Sequence, residues 1–375
     1  MRDRCNSDRI RDLLGEGVNE QVYPGAVLLV ATGGEKVFHD CVGHLSLLPD
    51  RMVMRKDTIF DLASLTKPLA TTLAVMSLVD DDKIRLDQTV SELSSASIPH
   101  DKQGLTVRWL LCHCAGLVDW KPFYEKLMDY NPEERKAVLR DLILEEPLTY
   151  TPGMGCVYSD PGFMILEWLI EEATGASMDR FVEQRFYRPL RLDRTFLWTE
   201  QGYKRFKKGE FAATEKCPWR KEILQGRVHD DNAFAVGGYS GHAGLFGTAD
   251  EVWRIVNLLR EHYLEKRKDY FNPDMVRQFF AKQDAIGGCP RALGWDMPSA
   301  ENSSAGKYFS PNSVGHLGFT GTSVWMDLEK DVVVILLTNR VHPTRSNEKI
   351  KEFRPKLHDG VMRTLGLSAK SDQSD

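Results

Sequence analysis

The chain has 375 residues, and 49 lysine and arginine residues against 54 aspartate and glutamate residues leave a net charge of −5. A protein that binds nucleic acid through bulk charge needs a basic surplus, so the composition excludes that class. Hydrophobic residues make up 42% and charged residues 27% of the chain, which is typical of a folded globular protein and not of a disordered one. At roughly 100–200 residues per domain, the length predicts two domains or one domain with an insertion.

The first twenty residues mix charged and apolar side chains and lack the uncharged stretch of a signal peptide. Ile10, Leu13, Leu14 and Val18 are spaced as one face of a surface helix. Longer apolar runs, such as residues 332–337, are far shorter than the roughly 18 residues of a membrane span. We therefore expect a cytoplasmic protein with no membrane span, with the periplasm or the cell exterior as alternatives.

Residues 26–30 and 36–42 are two apolar runs separated by Gly33-Gly34, a pattern that predicts a β-hairpin. Residues 62–79 follow, and from Pro68 onward this stretch has no charged side chain. A helix without a charged face is most simply a buried helix. Proline is tolerated in the first turn of a helix, so we expect this helix to begin near Ser64.

Helical periodicity dominates residues 84–194 and is clearest at 107–111, 132–144 and 162–173. Residues 200–230 are rich in lysine and arginine and predict a long surface excursion. A glycine-dense turn over residues 237–244 precedes a helix that starts near Ala249, and its glycines indicate closely packed backbone. Three predicted strands complete the pattern, at residues 315–319, 323–327 and 332–338.

Strands at both ends of the chain enclose a helical middle, which predicts a mixed α/β fold. Residues 1–80 and 236–375 would form a sheet domain, and residues 81–235 would form an inserted, mainly helical lobe. The candidate site would lie in the cleft between them.

Seven cysteines are spread along the chain without the spacing of a disulfide framework, which favours reduced thiols. Cys112-His113-Cys114 could suggest a metal site. A single C-x-C pattern without a second pair nearby does not complete a tetrahedral site of four ligands. We therefore expect no metal here.

The sharpest local feature is Ser64-Leu65-Thr66-Lys67. Positions i and i+3 share one helical face, so the Lys67 amine can approach the Ser64 hydroxyl. A serine hydroxyl needs a base to become a nucleophile, and desolvation lowers the pKa of a buried lysine enough for that role. The N-terminus of the helix adds N–H groups where an oxyanion would form. Such a short pattern of common residues also recurs by chance.

The setting of this motif resembles the serine β-lactamase and penicillin-binding protein family, in particular the class C branch with the family VIII carboxylesterases. The resemblance covers roughly residues 20 to 345. It is carried by Thr58 to Lys67, Thr106 to Leu111 with Ala115-Gly116-Leu117, Thr151-Pro152-Gly153 with Tyr158-Ser159-Asp160, Gly244-Leu245 with Thr248-Ala249, and His316-Leu317-Gly318. It implies an antiparallel central sheet flanked by helices and acyl transfer without a cofactor.

The resemblance also implies roles for individual residues. Ser64 would be the nucleophile, Lys67 and Tyr158 would share the work of the base, and the pKa of Tyr158 would be lowered by Lys67. The backbone N–H groups of Ser64 and Phe319 would form the oxyanion hole. Asp160, His316 and Gly318 would contact the substrate.

Three departures from the family pattern bear on the substrate. Asp160 replaces an asparagine whose amide donates a hydrogen bond, which an ionised carboxylate cannot do. His316 and Leu317 replace a lysine and a threonine that help to hold a substrate carboxylate. These losses argue against efficient β-lactamase or peptidase activity, whereas a simple ester needs no such anchor.

We therefore expect a serine hydrolase that forms an acyl-enzyme on small ester or amide substrates. The alternatives are a β-lactamase or D-Ala-D-Ala carboxypeptidase, and a binding protein that keeps the fold without catalysis. The segment from His229 to Asn232 is expected to line the entrance of the site. Ser240 is disfavoured as the nucleophile because the glycine-rich turn misses the G-x-S-x-G pattern, and His113 and His242 are expected to be structural.

Overall fold

The structure is a computed structural model and describes residues 2–368 except residues 285 and 287. Its strands are β1 (Gly25–Thr32), β2 (Glu35–Ser46), β3 (Met52–Val53), β4 (Phe60–Asp61), β5 (Phe196–Leu197), β6 (Ala213–Cys217), β7 (Glu222–Gln225), β8 (Leu245–Gly247), β9 (Val314–Leu317), β10 (Ser323–Asp327) and β11 (Val332–Thr338). The predicted hairpin and the three predicted C-terminal strands are confirmed.

Thirteen α-helices occur in the described part of the chain. They are α1 (Arg2–Asn19), α2 (Thr72–Asp80), α3 (Val90–Leu93), α4 (Val107–Leu111), α5 (Phe123–Leu127), α6 (Arg135–Glu145), α7 (Asp160–Thr174), α8 (Met178–Val182), α9 (Glu200–Tyr203), α10 (Asp231–Ala235), α11 (Ala249–Tyr263), α12 (Pro273–Phe280) and α13 (Ile350–Thr364). The predicted helices at 107–111, 132–144 and 162–173 are confirmed within a few residues.

Six strands form the main sheet, in the order β3-β2-β1-β11-β10-β9, and every neighbouring pair is antiparallel. The two ends of the chain meet at its centre, where Ala26 on β1 pairs with Thr338 on β11. Both central strands are runs of aliphatic residues because helices cover both faces of the sheet. The predicted fold class, an antiparallel sheet built from both chain ends and flanked by helices, is confirmed.

Alternate residues of β1 point to two different cores. Val27 and Leu29 belong to the larger core, which includes α2, α4, α7 and α11. Leu28 and Val30 belong to the second core, which α1 and α13 close with Leu14 and Leu357. The larger core runs from the sheet into the helices of residues 81–235. The division into a sheet domain and an inserted lobe stays a prediction.

The segment 200–230 corrects the prediction of a surface excursion. It contains the hairpin of β6 and β7, and Phe211 and Leu224 are fully buried. Phe211 packs edge-on against Phe246 of β8, with ring centroids 5.8 Å apart. The lysine and arginine residues of this segment obscure the short apolar pattern of a two-stranded sheet, which is why its composition suggested solvent exposure.

Candidate active site

Ser64 lies on a tight turn that follows β4. A 3₁₀ turn over Ala63–Leu65 and a π turn over Lys67–Thr71 lead into α2, so the helix begins near Ser64 as predicted, although its first turns are not α-helical. Ala63 has a left-handed backbone with φ of 48°, which is strained for a residue with a side chain. This strained residue places the Ser64 hydroxyl at the surface of a cavity.

Asp61 holds this turn in place. Its Oδ1 accepts the backbone N–H of Ala63 at 2.9 Å, and its Oδ2 accepts the backbone N–H of His229 at 2.6 Å. Asp61 was not among the site residues predicted from the sequence. An aspartate whose side chain accepts the backbone N–H two residues further on is a known turn signal. That signal could have predicted the bond from Ala63 to Asp61 but not the bond from His229.

Lys67 makes three polar contacts with its amino group. Nζ lies 3.1 Å from Ser64 Oγ, 3.1 Å from the carbonyl oxygen of His242 and 2.7 Å from Asp160 Oδ1. An ammonium group has three donors and no acceptor. The three neighbours therefore match a protonated lysine that donates to Ser64 Oγ and the His242 carbonyl and forms an ion pair with Asp160.

The protonation of Lys67 corrects the prediction of a lowered lysine pKa. Burial of the side chain, which is 0% exposed, acts to lower the pKa. The charge of Asp160 and the contact with Tyr158 oppose burial, and the net result is a raised pKa for Lys67. The sequence does not reveal Asp160 as a counter-ion, because much of the helical middle separates it from Lys67 along the chain.

The carbonyl of His242 reaches Lys67 because the glycine-dense turn packs tightly against α7. A Cβ atom at Gly241 would lie 1.9 Å from the backbone oxygen of Phe163, so any larger residue would push the turn away. The close packing expected from the glycine density is confirmed.

Tyr158 lies beside Ser64 and Lys67. Its ring centroid is 4.8 Å from Lys67 Nζ, 4.5 Å from the ring of His113 and 5.3 Å from the guanidinium of Arg291. Burial raises the pKa of Tyr158, while Lys67 and Ser64 act to lower it. Lys67 thus has the expected influence, but burial outweighs it, and the phenol stays protonated at neutral pH.

Phe319 follows β9 at the edge of the main sheet. Its side chain is 50% exposed and stacks on His229 at 5.5 Å. Among the described residues, the backbone N–H groups of Ser64 and Phe319 have no hydrogen-bond partner. Two such donors facing one cavity could stabilise an oxyanion.

The turn after β9 is tied to the Ser64 segment by two threonines that the sequence analysis missed. Thr320 Oγ1 donates to the carbonyl of Asp61 at 2.8 Å, and Thr322 Oγ1 donates to the carbonyl of Leu62 at 3.0 Å. At Gly318, a Cβ atom would lie 2.6 Å from the Leu62 oxygen. The turn after β9 therefore packs so closely against the Ser64 segment that position 318 has no room for a side chain.

A cavity of about 340 Å³ opens above Ser64. It is lined by Ala63, Ser64, Asp119, Trp120, Tyr158, Asp160, His229, Asp230, Asp231, Ala243, Phe319 and Arg345. The segment that begins at His229 contributes to its wall, as expected. Its ionisable groups are mostly carboxyl groups, and the Arg345 guanidinium is bound to Glu215 at 2.5 Å.

His316 and Gly318 are not part of the cavity lining. His316 is 2% exposed, and its ring centroid lies 6.0 Å from that of Tyr158. Burial holds the pKa of His316 well below its usual value, and the nearby Lys67 adds to the effect. Contact of His316 and Gly318 with substrate stays a prediction.

His242 and His113 have clear packing roles. Nε2 of the buried His242 lies 2.9 Å from Asp230 Oδ1, and Nδ1 of His113 accepts the backbone N–H of Ser159 at 3.0 Å. Ser240 donates to Glu167 Oε2 at 2.6 Å and is 1% exposed. These contacts tie the three residues to their neighbours, and Ser64 is the serine that lines the cavity.

Among the residues that the structure describes, two groups of side chains have the spacing of metal ligands. Asp160, Asp230 and His242 have ligand atoms within 4.8 Å of one another, but Asp160 is already paired with the Lys67 ammonium. The second group consists of Cys112, Cys114 and Cys289. Separately, none of the described helices combines the length and the apolar character needed to cross a bilayer.

Comparison with known proteins agrees with this geometry. Residues 10–357 match the beta-lactamase family model. An N-acetylmuramyl-L-alanine amidase of Bacillus subtilis is 32% identical, with 85% of this chain and 78% of the relative covered. A protein of Escherichia coli K12 named "Putative D-alanyl-D-alanine carboxypeptidase" is 30% identical, with 87% and 81% covered.

Among solved structures, EstCE1, described as a hydrolase with promiscuous acyltransferase activity, superposes with a TM-score of 0.74 at 20% identity. The superposition covers 96% of this chain and 99% of that protein. At this identity the likeness concerns the fold alone. The match over residues 10–357 extends across most of the chain, and the chain therefore belongs to the beta-lactamase family of serine hydrolases.

Proposed function

We propose that this protein hydrolyses small neutral esters through a covalent acyl-enzyme on Ser64. The observation that carries the proposal is the contact of Ser64 Oγ with the Lys67 ammonium at 3.1 Å, beside Tyr158 and at the floor of an open cavity. A nucleophile, a proton-transfer group and two free N–H donors are the components that acyl transfer needs.

The first step would use Tyr158 as a proton relay. Ser64 Oγ attacks the ester carbonyl carbon while its proton passes to the phenol oxygen of Tyr158. The phenol releases its own proton to the leaving alcohol, so a neutral tyrosine is sufficient. The Lys67 ammonium orients Ser64 and stabilises negative charge that develops on both oxygens, and the N–H groups of Ser64 and Phe319 would bind the oxyanion.

The second step would repeat the relay with water. A water molecule attacks the acyl carbon and gives a proton to Tyr158, and Tyr158 returns its proton to Ser64 Oγ as the acid leaves. The proton balance is closed in each step. No group other than those of the chain, the ester and water enters the scheme.

The charge of the cavity supports a neutral substrate. Carboxyl groups of Asp119, Asp160, Asp230 and Asp231 line the wall. The facing cation, Arg345, contacts Glu215 and lies 3.5 Å from Asp231. A substrate carboxylate would meet mostly like charges, which disfavours it at short range.

The test compares wild type with Ser64→Ala on a short-chain p-nitrophenyl ester, and Ser95→Ala, an exposed serine far from the cavity, is the control. We expect Ser64→Ala to lose at least about 10³-fold in kcat/KM and Ser95→Ala to keep the wild-type value. A serine-directed phosphonate should label Ser64 in mass spectrometry. Absence of both turnover and label would favour a binding protein without catalysis and overturn the proposal.

A second candidate function is cleavage of a D-alanyl peptide or a β-lactam, and the position of Arg345 favours it. The Arg345 side chain is 40% exposed at the cavity wall, so its guanidinium could turn from Glu215 to a substrate carboxylate. A D-alanyl-D-alanine peptide and a chromogenic cephalosporin distinguish the two functions. Turnover of either substrate that exceeds the ester in kcat/KM and falls in Arg345→Gln would establish this candidate.

A further inference from the structure

Four cysteines from three distant segments of the chain meet beneath the candidate active site. The sulfur atoms of Cys112, Cys114 and Cys289 lie within 4.8 Å of one another, and Cys156 Sγ lies 3.4 Å from Cys289 Sγ. All four are free thiols. Cys112, Cys114 and Cys289 are buried, and Cys156 is half-buried. We refer to them as the cysteine cluster.

Three thiols of the cysteine cluster converge on a single backbone carbonyl. The Sγ atoms of Cys114, Cys156 and Cys289 lie 3.4 to 3.5 Å from one acceptor, the backbone oxygen of Cys112. Cys289 Sγ can also donate to Cys156 Sγ at 3.4 Å, which leaves the two lone pairs of the carbonyl for Cys114 and Cys156. Convergence of this many thiols on one buried point is unusual for side chains that serve only as packing.

The spacing of the cysteine cluster suits a tetrahedral metal site. With a zinc–sulfur distance of about 2.3 Å, the ligand sulfurs of a tetrahedral site lie about 3.8 Å apart. Three of the sulfurs, those of Cys112, Cys114 and Cys289, lie within 4.8 Å of one another, and Cys156 Sγ lies 3.4 Å from Cys289 Sγ but outside that group. Small side-chain rotations would bring four sulfurs onto one ion.

We propose that Cys112, Cys114, Cys156 and Cys289 bind one structural zinc ion as four thiolates. Four sulfur ligands in a tetrahedral arrangement favour zinc over the harder cations, which prefer oxygen. Arg108 interacts electrostatically with Cys112, and Arg291 with Cys156. Each of these cations is also paired with an aspartate, Arg108 with Asp87 and Arg291 with Asp296, so it is shared between that aspartate and the cluster.

The ion would hold together the chain segments that surround Tyr158. His113, between two of the ligands, packs on the Tyr158 ring and accepts the Ser159 N–H. Cys156 precedes Tyr158 by two residues, and Cys289 precedes Arg291, whose guanidinium faces the same ring. The zinc ion would have a positioning role and would not touch the substrate.

The four cysteines of the cluster are not all close together in the sequence. Cys112 and Cys114 do lack a second pair nearby, but Cys156 and Cys289 are 133 residues apart and reach the same point through the fold. A motif search cannot find ligands with such separations. Only the packing of α4 and of the loops before Tyr158 and Arg291 brings them together.

The test measures metal content in the full chain, purified without chelator or metal-affinity resin. We expect one zinc per chain in wild type and in the control Cys41→Ser, a half-buried free cysteine on β2. Cys156→Ser and Cys289→Ser should each lose most of the zinc. Elemental analysis is independent of hydrolase activity, so failure of the proposed function would leave this result intact.

A second measurement uses only wild-type protein, so its result does not depend on whether the cysteine variants fold. Wild-type protein stripped by a chelator is titrated with Co²⁺, and a cluster of four thiolates should give the strong visible and near-ultraviolet absorption of tetrahedral cobalt thiolates, saturating at one equivalent. Wild type that contains no zinc and gives no such spectrum would overturn the proposal. A Cys156–Cys289 disulfide found by mass spectrometry of the native protein would overturn it as well.

Discussion

Lys67 and Asp160 form an ion pair in which Nζ and Oδ1 are 2.7 Å apart, and this pair sets the protonation of the candidate site. The Lys67 side chain is fully buried and that of Asp160 is 15% exposed. Burial alone would drive Lys67 toward the neutral amine, and the charge of Asp160 opposes it. An aspartate at the position where the resembling family has an asparagine therefore changes the starting state of the proton relay.

Replacing Asp160 by asparagine should shift the pH dependence of the reaction. Loss of the carboxylate removes the largest contribution that opposes desolvation, so the pKa of Lys67 falls. The alkaline limb of kcat/KM should move to lower pH by at least about one unit. The pH profile of ester hydrolysis measures this shift. Asp119→Asn, which neutralises a carboxylate on the same cavity without touching Lys67, should leave the limb in place, and an equal shift in both variants would contradict the assignment.

The same substitution should lower stability in a way that depends on pH. A folded-state pKa of Lys67 above its ordinary value of 10.5 contributes stability that is present below pH 10.5 and lost as pH rises through the folded value. Asp160→Asn leaves a buried ammonium without its partner, which costs about 3–5 kcal/mol at neutral pH. Urea unfolding at pH 7 and pH 10 should show the smaller loss at pH 10, because the amine can then be neutral. An equal loss at both values would count against the ion pair.

Gly318→Ala should damage both the fold and the reaction. The new Cβ would lie 2.0 Å from Thr322 Oγ1 and 2.6 Å from the Leu62 backbone oxygen, so the turn that carries Phe319 must move. We expect a loss of about 1–3 kcal/mol in the free energy of unfolding and roughly a 10²-fold fall in kcat if Phe319 is an oxyanion donor.

Gly104→Ala is the matched control for this change, because no atom lies within 4 Å of its new Cβ. It should keep kcat. A Gly318→Ala variant with wild-type kcat would show that the Phe319 N–H is not an oxyanion donor.

Asp61→Asn should loosen the turn that carries Ser64. Asp61 accepts two backbone N–H groups, one with each carboxylate oxygen, whereas an asparagine side chain has a single oxygen acceptor. One buried N–H group would lose its partner, at a cost of about 1–3 kcal/mol. Chemical denaturation measures the loss, and Asp57→Asn, an exposed carboxylate on the preceding loop, should change stability by less than about 0.5 kcal/mol.

Glu215 should contribute to stability at neutral pH and lose that contribution in acid. Although burial acts to raise its pKa, hydrogen bonds and charge from His229 and Arg345 lower it from 4.5 to about 2. A depressed carboxyl pKa gives stability that is present above pH 4.5 and lost as pH falls toward 2. The free energy of unfolding of wild type should fall more steeply between pH 5 and pH 2 than that of Glu215→Gln. Parallel curves for the two proteins would contradict the shift.

Local patterns in the sequence determined the elements of the sheet and the nucleophile motif. The hairpin of β1 and β2 and the strands β10 and β11 follow from apolar runs and glycine turns, because strand periodicity is a property of neighbouring residues. The approach of Ser64 and Lys67 has the same origin, since positions i and i+3 share one side of a helical turn whatever the rest of the chain does.

The tertiary structure decided the chemistry that surrounds this motif. Asp160 becomes the counter-ion of Lys67, and Thr320 ties the turn after β9 to the carbonyl of Asp61 across 259 residues of chain. The cysteine cluster joins three segments in the same way. Hydrogen bonds and ion pairs act over a few ångströms in space. They can therefore join residues that are far apart in the sequence without producing a periodic pattern along the chain. The sequence alone therefore determined which residues could react, and the packing of distant segments decided their charge states and their partners.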